Sequence, residues 1–135
     1  MLAVTTYDPN YINHCRSLLD AQLAAYDALA AGARRSDVAA FERLLFAHLV
    51  VVLDAYFMHR MRGREGKDGN PINEVRMVAD SILHHGGVLA ADKTIKYRPD
   101  AGVLHLEIGE EIRLERKGFG RLADAYFAEI EARFC

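Results

Sequence analysis

Apolar residues recur every three or four positions along most of the chain, the spacing that gives a helix one packed stripe. The first stripe runs Ile12, Cys15, Leu19, Leu23 and Tyr26, with Leu18 and Leu29 alongside. It opens at Asp8-Pro9, where Asp8 can accept from free first-turn amides and Pro9 fills a position that needs no donor. Gly32 is the natural stop, so a helix over 9–31 is expected. Ser36 and Asp37 supply an N-cap and a first-turn acid for a second helix over 37–62, with Gly63 just beyond. From Leu44 to Met58 this helix is apolar on nearly every side, which predicts a central helix covered all round by other elements or by a second subunit. Val50, Val51 and Val52 would also suit a buried strand, but length and the flanking cap favour helix.

Gly63, Gly66 and Gly69 then predict a loop, because glycines so close together carry a heavy entropy cost in any regular element. Asn70-Pro71 repeats the cap-plus-proline signal and starts a third helix over 71–85, with Ile72, Val75, Val78, Ala79, Ile82 and Leu83 as its apolar face and Gly86-Gly87 as its end. Beyond it the period changes to two: Ile95 and Tyr97, then Leu104, Leu106 and Ile108, then Ile112 and Leu114. This alternation predicts strands over 93–98, 103–108 and 112–115. Residues 98–102 have the chemistry of the first reversal, and a three-residue loop at Gly109-Glu110-Glu111 would pair Leu106 with Leu114 and Ile108 with Ile112. A last helix over 118–134 aligns Phe119, Leu122, Ala123, Tyr126, Phe127, Ile130 and Phe134. The expected fold is α+β and mainly helical, in one domain over 1–135: three helices, a three-stranded antiparallel β-meander, and a C-terminal helix covering the meander.

Composition narrows the function classes. A formal charge of -2 over 135 residues favours neither a polyanion nor an acidic membrane as partner, so nucleic acid is not the preferred ligand and any anion binding must be local. The N-terminus does not read as a secretory signal, and the apolar run over 44–58 is too short to span a bilayer. Two cysteines, Cys15 and Cys135, make neither a disulfide framework nor a zinc spacing. A cytoplasmic protein with reduced thiols is expected, without membrane, metal or cofactor.

His48 and Asp54 are the polar side chains within the apolar stretch of the second helix, so both are candidates for buried polar groups that need partners. They point about 120° apart and cannot serve one site from the same helix. No His-Glu-x-x-His or Glu-x-x-His arrangement is present, so no metal site is expected. Arg43 and His48 have the Arg-x4-His spacing, and these six residues resemble the motif of HEPN-type ribonucleases. That resemblance implies a pair acting on the 2′-hydroxyl and phosphate of RNA, although Leu44 stands where the family has a polar residue. On a regular helix the two side chains lie about 140° apart. Serine and cysteine lack the neighbours of a nucleophilic site.

The strongest local signal is the stretch 59–69, where Arg60, Arg62, Arg64 and Lys67 meet two acids, glycines allow close backbone approach, and a helix N-terminus follows. Its glycine spacing is not that of a Walker A loop. The last helix carries Arg116, Lys117 and Arg121 in its first turns, against the macrodipole, which suggests neutralisation by an anion or by acids from another element. Together these features predict a non-enzymatic binding or interaction protein with Arg60, Arg62, Arg64 and Lys67 contacting an anionic small molecule or protein partner. The apolar second helix predicts a homodimer. The alternatives are a ribonuclease-like enzyme using Arg43 and His48, and a purely structural oligomeric module.

Overall fold

A computed structural model describes residues 3–135. Five helices follow one another: α1 (Pro9–Gly32), α2 (Arg35–Ala55), the single turn α3 (Arg62–Glu65), α4 (Pro71–His84) and α5 (Arg116–Phe134). α4 packs chiefly on α2 and α5, and α5 also meets α1, α2 and α3. Phe46, Leu53, Phe57, Ile72, Val75, Phe119, Tyr126 and Phe134 form the centre of the shared core.

Local chemistry accounts for the helix starts. The Asp8 carboxylate accepts from Asn10 N at 2.8 Å, and Asn70 Oδ1 accepts from the amides of Ile72 and Asn73. Both caps are followed by proline at the first helical position. α2 instead begins at Arg35, one residue before the expected serine, and its N-cap residue Arg34 makes no side-chain capping bond. The valine triplet lies within α2.

α2 ends at Ala55 and does not continue to Arg62. From there the chain tightens into i→i+3 bonds, Phe57 N to Asp54 O, Met58 N to Ala55 O and Arg60 N to Phe57 O. The Arg60 guanidinium donates to the carbonyl of Phe57 at 3.0 Å and fixes this ending. Val4 then runs beside Arg60 in a short parallel bridge. Within this chain α2 is not covered all round by other elements. Its inner face, Phe46, Leu49, Val50 and Leu53, is buried, whereas Phe41, Leu44, His48, Val52 and Ala55 are exposed.

The β-meander expected over 93–115 is absent, and the fold is all-helical. Among the described residues the only β-type pairings are two isolated bridges, Val4 with Arg60 and Val88 with Glu111. Of the alternating residues Ile95, Leu106 and Leu114 are buried while Ile108 is exposed, and the backbone groups that a ladder needs are bound elsewhere. The buried Glu74 carboxylate accepts from Val103 N at 2.8 Å and Leu104 N at 2.9 Å. The Tyr97 hydroxyl donates to Leu106 O at 2.6 Å. Residues 109–112 bond back to Gly87 and Leu89, so Gly109-Glu110-Glu111 does not join Leu106 to Leu114. The turn over 98–102 is present, with Gly102 N bonded to Arg98 O. Without a meander to cover, α5 buries its entire stripe from Phe119 to Phe134 against the other helices.

Candidate functional site

The polar centre of the molecule is Glu65, whose side chain is 1% exposed. Its Oε1 accepts from Arg60 Nε at 2.5 Å and lies against Arg76 Nη2, and its Oε2 accepts from Asn73 Nδ2 at 2.8 Å. Arg60 also donates from Nη2 to Asp54 Oδ1 at 2.9 Å. Two acids and two arginines thus offset one another in a region where a lone charge would cost several kcal/mol. Burial pulls the Arg60 guanidinium down, but the Tyr126 hydroxyl, Asp54 and Glu65 hold its pKa above the ordinary value. Arg76 goes the other way. Burial depresses it most, Glu65 opposes that, and Arg62 and Arg60 add repulsion. Its Nε is buried with no acceptor among the described residues.

Arg76 faces a cleft of ≈ 460 Å³ between α2, α4 and the segment after α4. Asp54, Arg62, Asp80, Asp92 and Lys93 share its lining, and Val51, Met77 and Leu83 supply apolar wall. Three acids and three cations cancel formally, yet their commitments differ. Asp54 is held by Arg60, and Asp80 lies 3.4 Å from His85 Nε2. Asp92 accepts from Thr94 N at 2.8 Å and from Thr94 Oγ1 at 2.7 Å. These two Thr94 bonds, then Arg76 and Arg62, hold the Asp92 carboxyl below its ordinary range. Among the described residues, Arg62 and Lys93 have no acid within ion-pair distance. The lining therefore holds two cations, Arg62 and Lys93, without an acid partner, beside one exposed acid, Asp80.

The four cations predicted to share a loop site occupy separate environments. Arg60 is in the core and is not available at the surface. Arg62 lines the cleft. Arg64 Nε donates to the carbonyl of Arg133 at 2.7 Å, tying α3 to the end of α5. Lys67 is exposed, while its carbonyl accepts from Lys96 N. The glycines serve the backbone here: Gly66 and Gly69 have φ of 81° and 85°, and a Cβ on Gly69 would lie 2.7 Å from Lys96 O.

Of the two expected buried polar groups, Asp54 is half-buried and ion-paired. His48 is not buried. It sits on the outer face of α2 with Nδ1 2.9 Å from Leu44 O. Arg43 is also exposed, and the helix is regular through both residues, so their side chains diverge by about 140° and do not converge as an RNA-cleaving pair would. The basic start of α5 finds an acid in another element: Arg116 Nε donates to Asp27 of α1 at 2.9 Å.

Glu65, Asn73, Arg76, Asp92 and Lys93 were not anticipated. Arg76 left one readable trace, a cation flanked by Val75, Met77, Val78 and Ala79 in a strongly amphipathic helix. Compared with protein-family models, curated proteins and solved structures, the chain matches none. Among the described residues no helix is long and apolar enough to cross a membrane.

Proposed function

We propose that this chain is a small cytoplasmic, non-enzymatic binding protein whose cleft between α2 and α4 takes an organic anion, a carboxylate or a phosphomonoester. The observation that carries this reading is the inequality of partners in the cleft. Asp54 and Asp92 are engaged from within the protein, whereas Arg62 and Lys93 have no acid within ion-pair distance among the described residues. An anion would relieve the repulsion that Arg76 feels from Arg62 and Arg60 and accept from the donors left over. The volume of ≈ 460 Å³ exceeds what a bare phosphate fills and falls in the usual range for small-molecule sites. The wall of Val51, Met77 and Leu83 suits the hydrocarbon part of such a ligand.

Thermal unfolding with and without anion tests the reading. Inorganic phosphate and citrate at ten times the dissociation constant should add about 1.4 kcal/mol, a rise of about 3–5 °C for a chain of this size. The double variant Arg62→Glu with Lys93→Glu should lose the rise. Arg64→Glu with Lys67→Glu should keep it. A rise abolished by the second pair would return the site to the loop, and no rise with any anion would leave a structural module as the better description.

A further inference from the structure

Arg76, Asp80 and Leu83 follow one another along one face of α4, each about a turn from the next, and all three line the cleft. An arginine and an aspartate four residues apart on a helix are neighbours that commonly pair. Among the described residues this pair stays open. The Arg76 guanidinium is drawn to Glu65, and the Asp80 carboxylate lies 3.4 Å from His85, a contact that is an ion pair only while the imidazole is protonated. The Asp80 side chain is 55% exposed. Since Arg60 holds Asp54 and Thr94 holds Asp92, Asp80 is the acid of the lining with acceptor capacity open to the cleft.

We infer that the ligand of the cleft is a zwitterion, an α-amino acid with an apolar side chain, whose carboxylate meets Arg62 and Lys93 and whose ammonium meets Asp80. This deepens the anion reading of the cleft and rests on it. Charge balance favours a zwitterion over a plain anion. The three cations and three acids of the lining cancel, so a ligand without net charge leaves the cleft neutral, whereas a carboxylate alone brings uncompensated negative charge beside Asp80. An amine alone would answer Asp80 and leave Arg62 and Lys93 without an acceptor. Spacing favours the zwitterion too. Side chains at these two positions of α4 leave the helix about 5–6 Å apart, and Arg62 is near enough to Arg76 to repel it. Cation and acid thus face one space at a separation that an ammonium and a carboxylate on a single carbon bridge through charge-assisted hydrogen bonds. One turn past Asp80, Leu83 is 59% exposed and joins Val51 and Met77 in the apolar wall. A hydrocarbon side chain laid there removes apolar surface from water.

Isothermal titration calorimetry with L-leucine, 4-methylpentanoate and 3-methylbutylamine tests this, because the second probe lacks the ammonium and the third the carboxylate. Leucine should bind roughly tenfold more tightly than either, and roughly tenfold more tightly than glycine, which has no side chain to lay on the wall. Asp80→Asn, a change at an exposed position, should leave the circular dichroism spectrum unaltered and bring leucine down to the affinity of 4-methylpentanoate. The same variant should bind 4-methylpentanoate and inorganic phosphate at least as tightly as before. Leucine no tighter than 4-methylpentanoate, with phosphate still bound through Arg62 and Lys93, overturns the zwitterion and leaves the anion reading standing. An Asp80→Asn variant that binds leucine as the wild type does, or that loses leucine and 4-methylpentanoate equally, overturns it as well. Failure of leucine and phosphate alike removes both readings.

Discussion

Individual side chains show which charges are structural. Removing the Glu65 carboxylate as Glu65→Ala leaves Arg60 and Arg76 facing each other with their shared acid gone. Breaking a buried pair in this way costs about 3–5 kcal/mol, which urea unfolding should register; a loss below 1 kcal/mol would mean that solvent reaches the cluster. Tyr126 gives the opposite sign. Its hydroxyl is buried without a hydrogen-bond partner among the described residues, and burial raises its pKa, against the opposing pull of Arg60. Tyr126→Phe deletes an unsatisfied group, so stability should hold or rise by about 1 kcal/mol; a comparable loss would reveal a partner. Asp92 sets a pH dependence. Its folded pKa is depressed below the ordinary 3.8, so its contribution is present above that value and disappears as pH falls through the folded pKa. Carboxyl-carbon NMR should show the Asp92 midpoint below 3.8 in the wild type and moving upward in Thr94→Ala; an unmoved midpoint would remove Thr94 as the cause. At this scale Asp8 and Asn70 were legible, because capping depends on residues two or three apart. Arg60 was not. Its role depends on Glu65 five positions on and on a helix ending that its own guanidinium helps to make.

Among the elements, helices were readable and the segment between α4 and α5 was not. The apolar stripes of α1, α4 and α5 give their position because one face of each is buried in a single core. α2 misled by being apolar on its exposed side too, so periodicity could not separate a covered face from an uncovered one. Over 93–115 the alternation marked three buried side chains, Ile95, Leu106 and Leu114, but also Ile108, which is exposed. It could not show that Glu74, 29 and 30 positions earlier in sequence, takes the amides of Val103 and Leu104. Glu74→Ala should therefore release this segment before it disturbs the helices. Hydrogen exchange at Val103 and Leu104 should accelerate at least tenfold while the amides of α5 stay protected, and uniform acceleration everywhere would contradict the assignment.

For the whole molecule, charge balance and fold act together. The buried cluster of Asp54, Arg60, Glu65 and Arg76 joins the end of α2, α3 and α4, and this joint positions Arg62 and Arg76 on one cleft with Lys93. The basic character of the stretch after α2 was visible in the sequence, but its division into a core arginine, a cleft arginine and a helix tie depends on tertiary packing. The claim on which the functional reading rests is that the cleft, and not the loop over 63–69, retains cations for a ligand. Amide and guanidinium NMR shifts during titration with inorganic phosphate measure this directly. The account predicts perturbations at Arg62, Arg76 and residues 90–93, with Arg64 and Lys67 unmoved; shifts confined to residues 63–69, or none anywhere, would contradict it.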